Sequence, residues 1–234
     1  MDLNVDLVPK LEELEHGLRD FLQILKLLEK HRLFEPVWIG LNNRLWDDSE
    51  GFLESARQAA AEFNGPDGFQ IFETLNNPDS SNGATVLHSW NSLPGNTDVL
   101  SISIRGPHPK LTYDARLFAG VCEIILDWRP VQHLSLAWPG YRMDLQPLDA
   151  HRRGLGWLGW LPFDIAPAQV PEAQICRPMR DGTFIGLQND LWFSHGPNAD
   201  PDAVGRAQAL EHLLNRLGVL PTLEELKRGD WGRS

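Results

Sequence analysis

The residues of this 234-residue chain best suited to acid–base or metal chemistry near neutral pH are its eight histidines, at 16, 31, 88, 108, 133, 151, 195 and 212. They are scattered, and none has a second ligand-type residue at metal spacing on the same expected element. The chain holds no phosphate-cradling glycine loop with a lysine, no G-x-S-x-G turn, and no H-E-x-x-H or C-x-x-C pair. One arrangement comes close. Pro201-Asp202 with Glu225-Leu226-Lys227 has the order by which two carboxylates and a lysine hold a divalent metal for phosphodiester cleavage. Both halves fall on expected helices, and Thr222 to Glu225 is already explained as a helix capping box. Cys122 and Cys176 lie far apart, in patterns that suggest buried thiols rather than a disulfide framework or metal ligands. The reading is of a protein with no catalytic residues, no metal and no cofactor.

Charge supplies the stronger signal. The net charge is −11, and residues 1–64 hold 13 acids against 7 bases. This balance opposes nucleic acid and anionic lipid, and it speeds association with a basic protein. A tryptophan followed at once by two aspartates, in a stretch expected to be a loop, has the make-up of an aromatic anchor rimmed by acids. Trp46, Asp47, Asp48, Glu50 and Glu54 are therefore the first candidates for partner contact, with Asp190 and Asp200 of the acidic 190–202 loop as a second group. Asp48 can equally cap the helix that follows. The start is acidic, without a signal-peptide apolar stretch, and no run reaches the roughly 18 apolar residues of a membrane span. A soluble cytoplasmic protein is expected.

These residues need a scaffold, and the apolar spacing describes one. Leu7, Leu11, Leu14, Leu18, Phe21, Leu25 and Leu28 recur at 4-3 spacing, which predicts a long N-terminal helix from about Pro9 to Lys30 with Gly17 as its weak point. A second helix runs from Asp48 or Ser49 to about Glu62, a third follows Asp114 and stops before Pro130, a fourth opens at Asp200-Pro201, and a short fifth follows Thr222. Strands are expected over 68–75, 84–90, 99–105 and 134–138, and on both sides of an Arg180-Asp181-Gly182 turn. Residues 1–234 read as one α+β domain, a mostly antiparallel sheet flanked by helices.

The densest apolar run, GLGWLGWLPF at 154–163, predicts an interior strand whose Trp157 and Trp160 belong to the core and point to opposite faces. With the D-G-T-F-I hairpin at 181–185, the L-W-F strand at 191–193, the N-x-D-P helix start at 198–201 and the L-G-V-L-P close at 217–221, it resembles the bacterial immunity-protein family numbered fifty-two. The resemblance covers about 80 residues of the C-terminal half. It implies a cytoplasmic antitoxin that binds and neutralises a cognate restriction-endonuclease-like nuclease toxin, such as a type VI secretion effector. It carries no catalytic residue to transfer. A monomer or weak homodimer without membrane or direct nucleic-acid contact is expected. Two other readings stay open: a small-molecule hydrolase with dispersed residues, and an adaptor that dimerises through the Leu7–Leu28 seam.

Overall fold

The computed structural model describes residues 1–40, 43–44, 49–63, 69–76, 83–91, 97–106 and 111–232. It is an α+β protein built on a large antiparallel sheet. Its strands are β1 (Asp2–Leu7), β2 (Trp38–Gly40), β3 (Asn43–Arg44), β4 (Phe69–Asn76), β5 (Ala84–Asn91), β6 (Asp98–Ile104), β7 (Val131–Ala137), β8 (Leu158–Leu161), β9 (Ile175–Met179) and β10 (Gly182–Gly186). Among the described residues they form one sheet in the order β3-β2-β4-β5-β6-β1-β7-β8-β10-β9. The helices are α1 (Leu14–Leu28), α2 (Ser49–Phe63), α3 (Ala115–Trp128), α4 (Pro201–Arg216) and α5 (Leu223–Arg228). None of them is long and apolar enough to cross a membrane.

The long N-terminal helix is corrected. The chain begins with β1, inserted between β6 and β7, and the helix runs only from Leu14 to Leu28. Asp-Leu-Asn-Val-Asp-Leu alternates with the strand period of two, and its Leu3, Val5 and Leu7 are buried. Leu7 happens to stand in helical register with Leu11 and Leu14, which let one stripe absorb it. Val8 N donates to Pro130 O at 3.0 Å and Lys10 N to Asp98 Oδ2 at 3.1 Å, so the segment around Pro9 follows the sheet. Leu11 is 56% exposed and belongs to no packed face. Gly17 is a seat rather than a weak point: a Cβ there would collide with the Trp90 indole.

Register assigns the faces. His88, Leu100, Val5, Leu134 and Trp160 lie across from one another on one side, under α1 and α3. Phe21 of α1 and Trp128 of α3 pack on His88, with ring centroids 6.0 and 5.4 Å away. Trp157 and Trp160 are both core, 1% exposed, but they do not divide between two layers. Trp157 precedes β8 and meets Phe118 of α3 edge to face at 5.5 Å, so both indoles serve the helix-covered side. On the opposite side Asn4, Ser101 and Ser135 form a polar row across β6, β1 and β7. A π-helical turn, Tyr141–Leu145, lies over that row, and α4 packs on the turn.

His88 carries a consequence for acid stability. It is fully buried among aromatic rings, neither ring nitrogen has a hydrogen-bond partner, and burial, helped by the Arg129 charge, pushes its pKa down to about 3. The unfolded imidazole takes up a proton near its ordinary 6.5 while the folded one stays neutral, so stability is full above that pH and falls as acid is added. The slope is about 1.4 kcal/mol per pH unit for one displaced proton. Urea melts of His88→Leu should show a pH dependence between about pH 5 and 6.5 that is shallower than the parent's by roughly that slope.

Candidate functional site

Of the residues singled out for partner contact, those that the structure describes lie in separate places. Trp46, Asp47 and Asp48 lie outside the described residues. Glu50 and Glu54 are exposed on α2, which joins β3 to β4 toward one end of the sheet. Glu54 is engaged locally, 3.2 Å from Arg57, which also reaches Glu15 of α1 at 3.2 Å. Asp190 follows β10, at the other end. It is exposed and bridges through its backbone to Asp114. Asp200 is half-buried and accepts from Ala203 N at 2.9 Å, so its carboxylate caps α4.

The metal-type signature is likewise absorbed by helix starts. Asp202 sits in the exposed first turn of α4. Glu225 accepts from Thr222 N at 2.7 Å in the capping box of α5, and Lys227 pairs with Glu224 at 2.7 Å. Among the described residues no three His, Cys, Asp or Glu side chains are grouped to hold a metal ion.

A different surface stands out, around the π-helical turn. Such turns are rare and concentrate at functional sites. Met143, on this turn, is 79% exposed, and Phe193 is 37% exposed where most large apolar side chains are covered. Phe193 stacks on Trp138 with centroids 5.1 Å apart and planes 22° apart, and the Trp138 indole N–H donates to Trp192 O. Clefts open on both sides of this ring pair. One, of about 240 Å³, is almost wholly apolar and runs past Met1, Ile104, Tyr113 and Leu191. The other, of about 320 Å³, contains Asp144, Ser194 and His195. Ser194 Oγ lies 2.9 Å from His195 Nδ1, but the Asp144 carboxylate is 3.9 Å from Nε2, beyond hydrogen-bond reach. Nothing at that distance fixes the imidazole's tautomer, and the ring is half exposed.

Beneath this surface lies a carboxylate that no sequence argument had singled out. Glu211 of α4 is fully buried. Its Oε1 accepts from Leu155 N at 2.8 Å and Gly156 N at 2.9 Å, and its Oε2 accepts from Tyr141 Oη at 3.0 Å. Burial pushes its pKa up against the pull of those donors, and burial together with the Glu211 charge raises the Tyr141 phenol. A Cβ on Gly154 would stand 2.5 Å from Glu211 Oε1, which is why the Gly154 stretch can wrap the carboxylate. The signal in the sequence is an acid at 211 inside the apolar stripe Ala207, Leu210, Leu214.

Neither the models of known protein families nor the characterised proteins compared with this chain match it.

Glu211→Ala leaves two buried N–H groups and a hydroxyl unsatisfied, so it should cost about 3–5 kcal/mol in a urea melt. Glu211→Gln keeps an oxygen for the two N–H groups and should cost less than about 1.5 kcal/mol. Because the folded pKa is raised, ionising Glu211 disfavours the fold, and stability is lost as pH rises from the unfolded value through the folded one. The glutamine variant should lack that loss.

Proposed function

We propose that the protein is an immunity-type inhibitor that binds a restriction-endonuclease-like nuclease toxin, of the kind delivered by type VI secretion, and neutralises it by protein–protein contact. The observation that carries this reading is an exposed crest, Phe193 stacked on Trp138, with Asp144 in the cleft beside the pair, the exposed Met143 preceding it on the same turn, and the exposed Asp190 preceding Leu191 of the apolar cleft. An interface core of aromatic and methionine side chains with a charged rim is the usual make-up of a specific protein-binding patch. Two further facts support the same partner. The net charge of −11 complements the positive surface that a nuclease needs to hold its substrate. The motifs between 154 and 221 resemble those of immunity proteins, as described above.

The test pairs the protein with a restriction-endonuclease-like toxin, sought first in the reading frame adjacent to its gene. Equimolar protein should abolish nuclease activity, and Met143→Ala with Phe193→Ala should weaken the complex by at least about 30-fold while the melting temperature changes little. Asp144→Lys with Asp190→Lys should slow association, with a smaller salt dependence than the parent shows. Full inhibition by the Met143→Ala, Phe193→Ala variant at unchanged affinity would remove the interface from this crest. Absence of both binding and inhibition would overturn the reading.

A further inference from the structure

On the other flank of the π-helical turn this acidic protein has a cationic cleft. It holds about 350 Å³ and is lined by Arg142, Arg152 and Arg153 together with Asn4, Ser135 and Gln146. Its floor is the polar row of the sheet, where Asn4 of β1 faces Ser135 of β7 and Ser101 of β6. Two of the arginines have anionic partners. Arg153 reaches Asp6 Oδ1 at 3.1 Å, and Arg152 contacts the exposed Asp149 at 3.4 Å while donating to Leu220 O at 2.7 Å.

Arg142 differs. Its Nη2 donates to Ser135 Oγ at 3.2 Å, and the Asn4 amide, oriented to donate to Ser101 Oγ at 2.8 Å, turns its oxygen to the guanidinium at 3.0 Å. Among the described residues no carboxylate lies within 4.0 Å of it. Burial, and then the Arg153 charge, pull its pKa down, while Asp2, Asp6 and Glu211 act on it from a distance. Of these carboxylates Asp2 acts on it most, and Asp6 is already engaged, with one oxygen on Arg153 and the other 3.3 Å from His133 Nδ1. Arg153 Nε is a buried donor without a partner. A guanidinium held by two neutral oxygens, next to another guanidinium and facing an open cleft, is the arrangement that recognises a planar or tetrahedral oxyanion.

We propose that this cleft is a binding site for an oxyanion, the phosphate or carboxylate group of a small molecule, with Arg142 as its principal contact and Arg153 beside it. The anion relieves the repulsion between the two guanidinium groups and can satisfy the Arg153 Nε donor that the protein leaves open. The cleft is large enough for more than the oxyanion alone, so the rest of the ligand lies toward Met143 and Leu148 at its mouth. This site does not depend on the crest's binding a toxin.

The experiment titrates the whole chain with inorganic pyrophosphate and, separately, with citrate, each at an ionic strength held constant with sodium chloride. Melting temperature and calorimetric heat are followed. At about ten times the dissociation constant the melting temperature should rise by roughly 3–6 °C, and the calorimetric heat should saturate. Arg142→Gln should weaken binding at least about tenfold, and Arg142→Lys should recover part of the loss. Met143→Glu changes a residue that is 79% exposed, so the fold is kept, and it should also weaken binding by placing an acid at the mouth. A response to pyrophosphate alone identifies a phosphate-bearing ligand, and a response to citrate alone a carboxylate. The proposal is overturned if neither probe gives a saturable response at constant ionic strength, or if the response is the same in Arg142→Gln and Met143→Glu.

Discussion

The Glu211 carboxylate is the contact on which the C-terminal half depends. A carboxyl group taken fully out of water loses its hydration and is tolerated only if other donors replace it. Here the replacements come from three places: the backbone of Leu155 and Gly156, and the hydroxyl of Tyr141. One side chain thereby ties α4, the loop leading into β8 and the first residue of the π-helical turn into a single unit. Both proposed surfaces rest on that turn. Asp144 lines the cleft beside the Trp138–Phe193 pair on one flank, and on the other Met143 lines the cleft in which Arg142 reaches back to the sheet.

The sheet supports this by presenting two unlike faces. The α1 and α3 side is largely apolar and aromatic, and the His88 buried in it is held neutral. The other side carries Asn4, Asp6, Ser101, His133 and Ser135 in register. Burial alone would push the Asp6 carboxyl up, but hydrogen bonding to His133 and the charge of Arg153 outweigh it and hold the group below its ordinary range. Charges buried at that level must be paired or must meet a ligand. Asp6 and Arg153 take the first course, and Arg142 is placed for the second.

Where the determinants were local, they were legible in the sequence. Asp114, Asp200 and Thr222 cap α3, α4 and α5 as their spacing implies, and Arg180-Asp181 turns the β9–β10 hairpin with Arg180 in the left-handed region at φ 55°. The serine-alternating Val99 to Ile104 segment is a strand of the expected kind. The failures came where two periods coincided or where contacts were distant. Leu7 fitted a helical stripe and a strand equally well, and only pairing with β6 and β7 decides between them. Trp157 was assigned a face by strand parity, yet it lies just before β8, where parity does not apply. The oxyanion cleft draws Asn4, Ser135, Arg142 and Arg153 from four separate stretches, so no motif could announce it. The acidic Trp46 to Glu54 stretch is a candidate because charge density is visible in a sequence, and its Trp46, Asp47 and Asp48 lie outside the described residues, whereas the exposed Met143 and Phe193 become visible only once burial is known.

The central functional claim is that a basic toxin seats on the crest beside the π-helical turn. Hydrogen–deuterium exchange of the protein, alone and saturated with the toxin it inhibits, measures this directly. Protection on binding should concentrate in 138–145 and 190–195, with little change in α1 and α2. Protection confined to the segment 43–58, with 138–145 and 190–195 unaffected, would contradict the account.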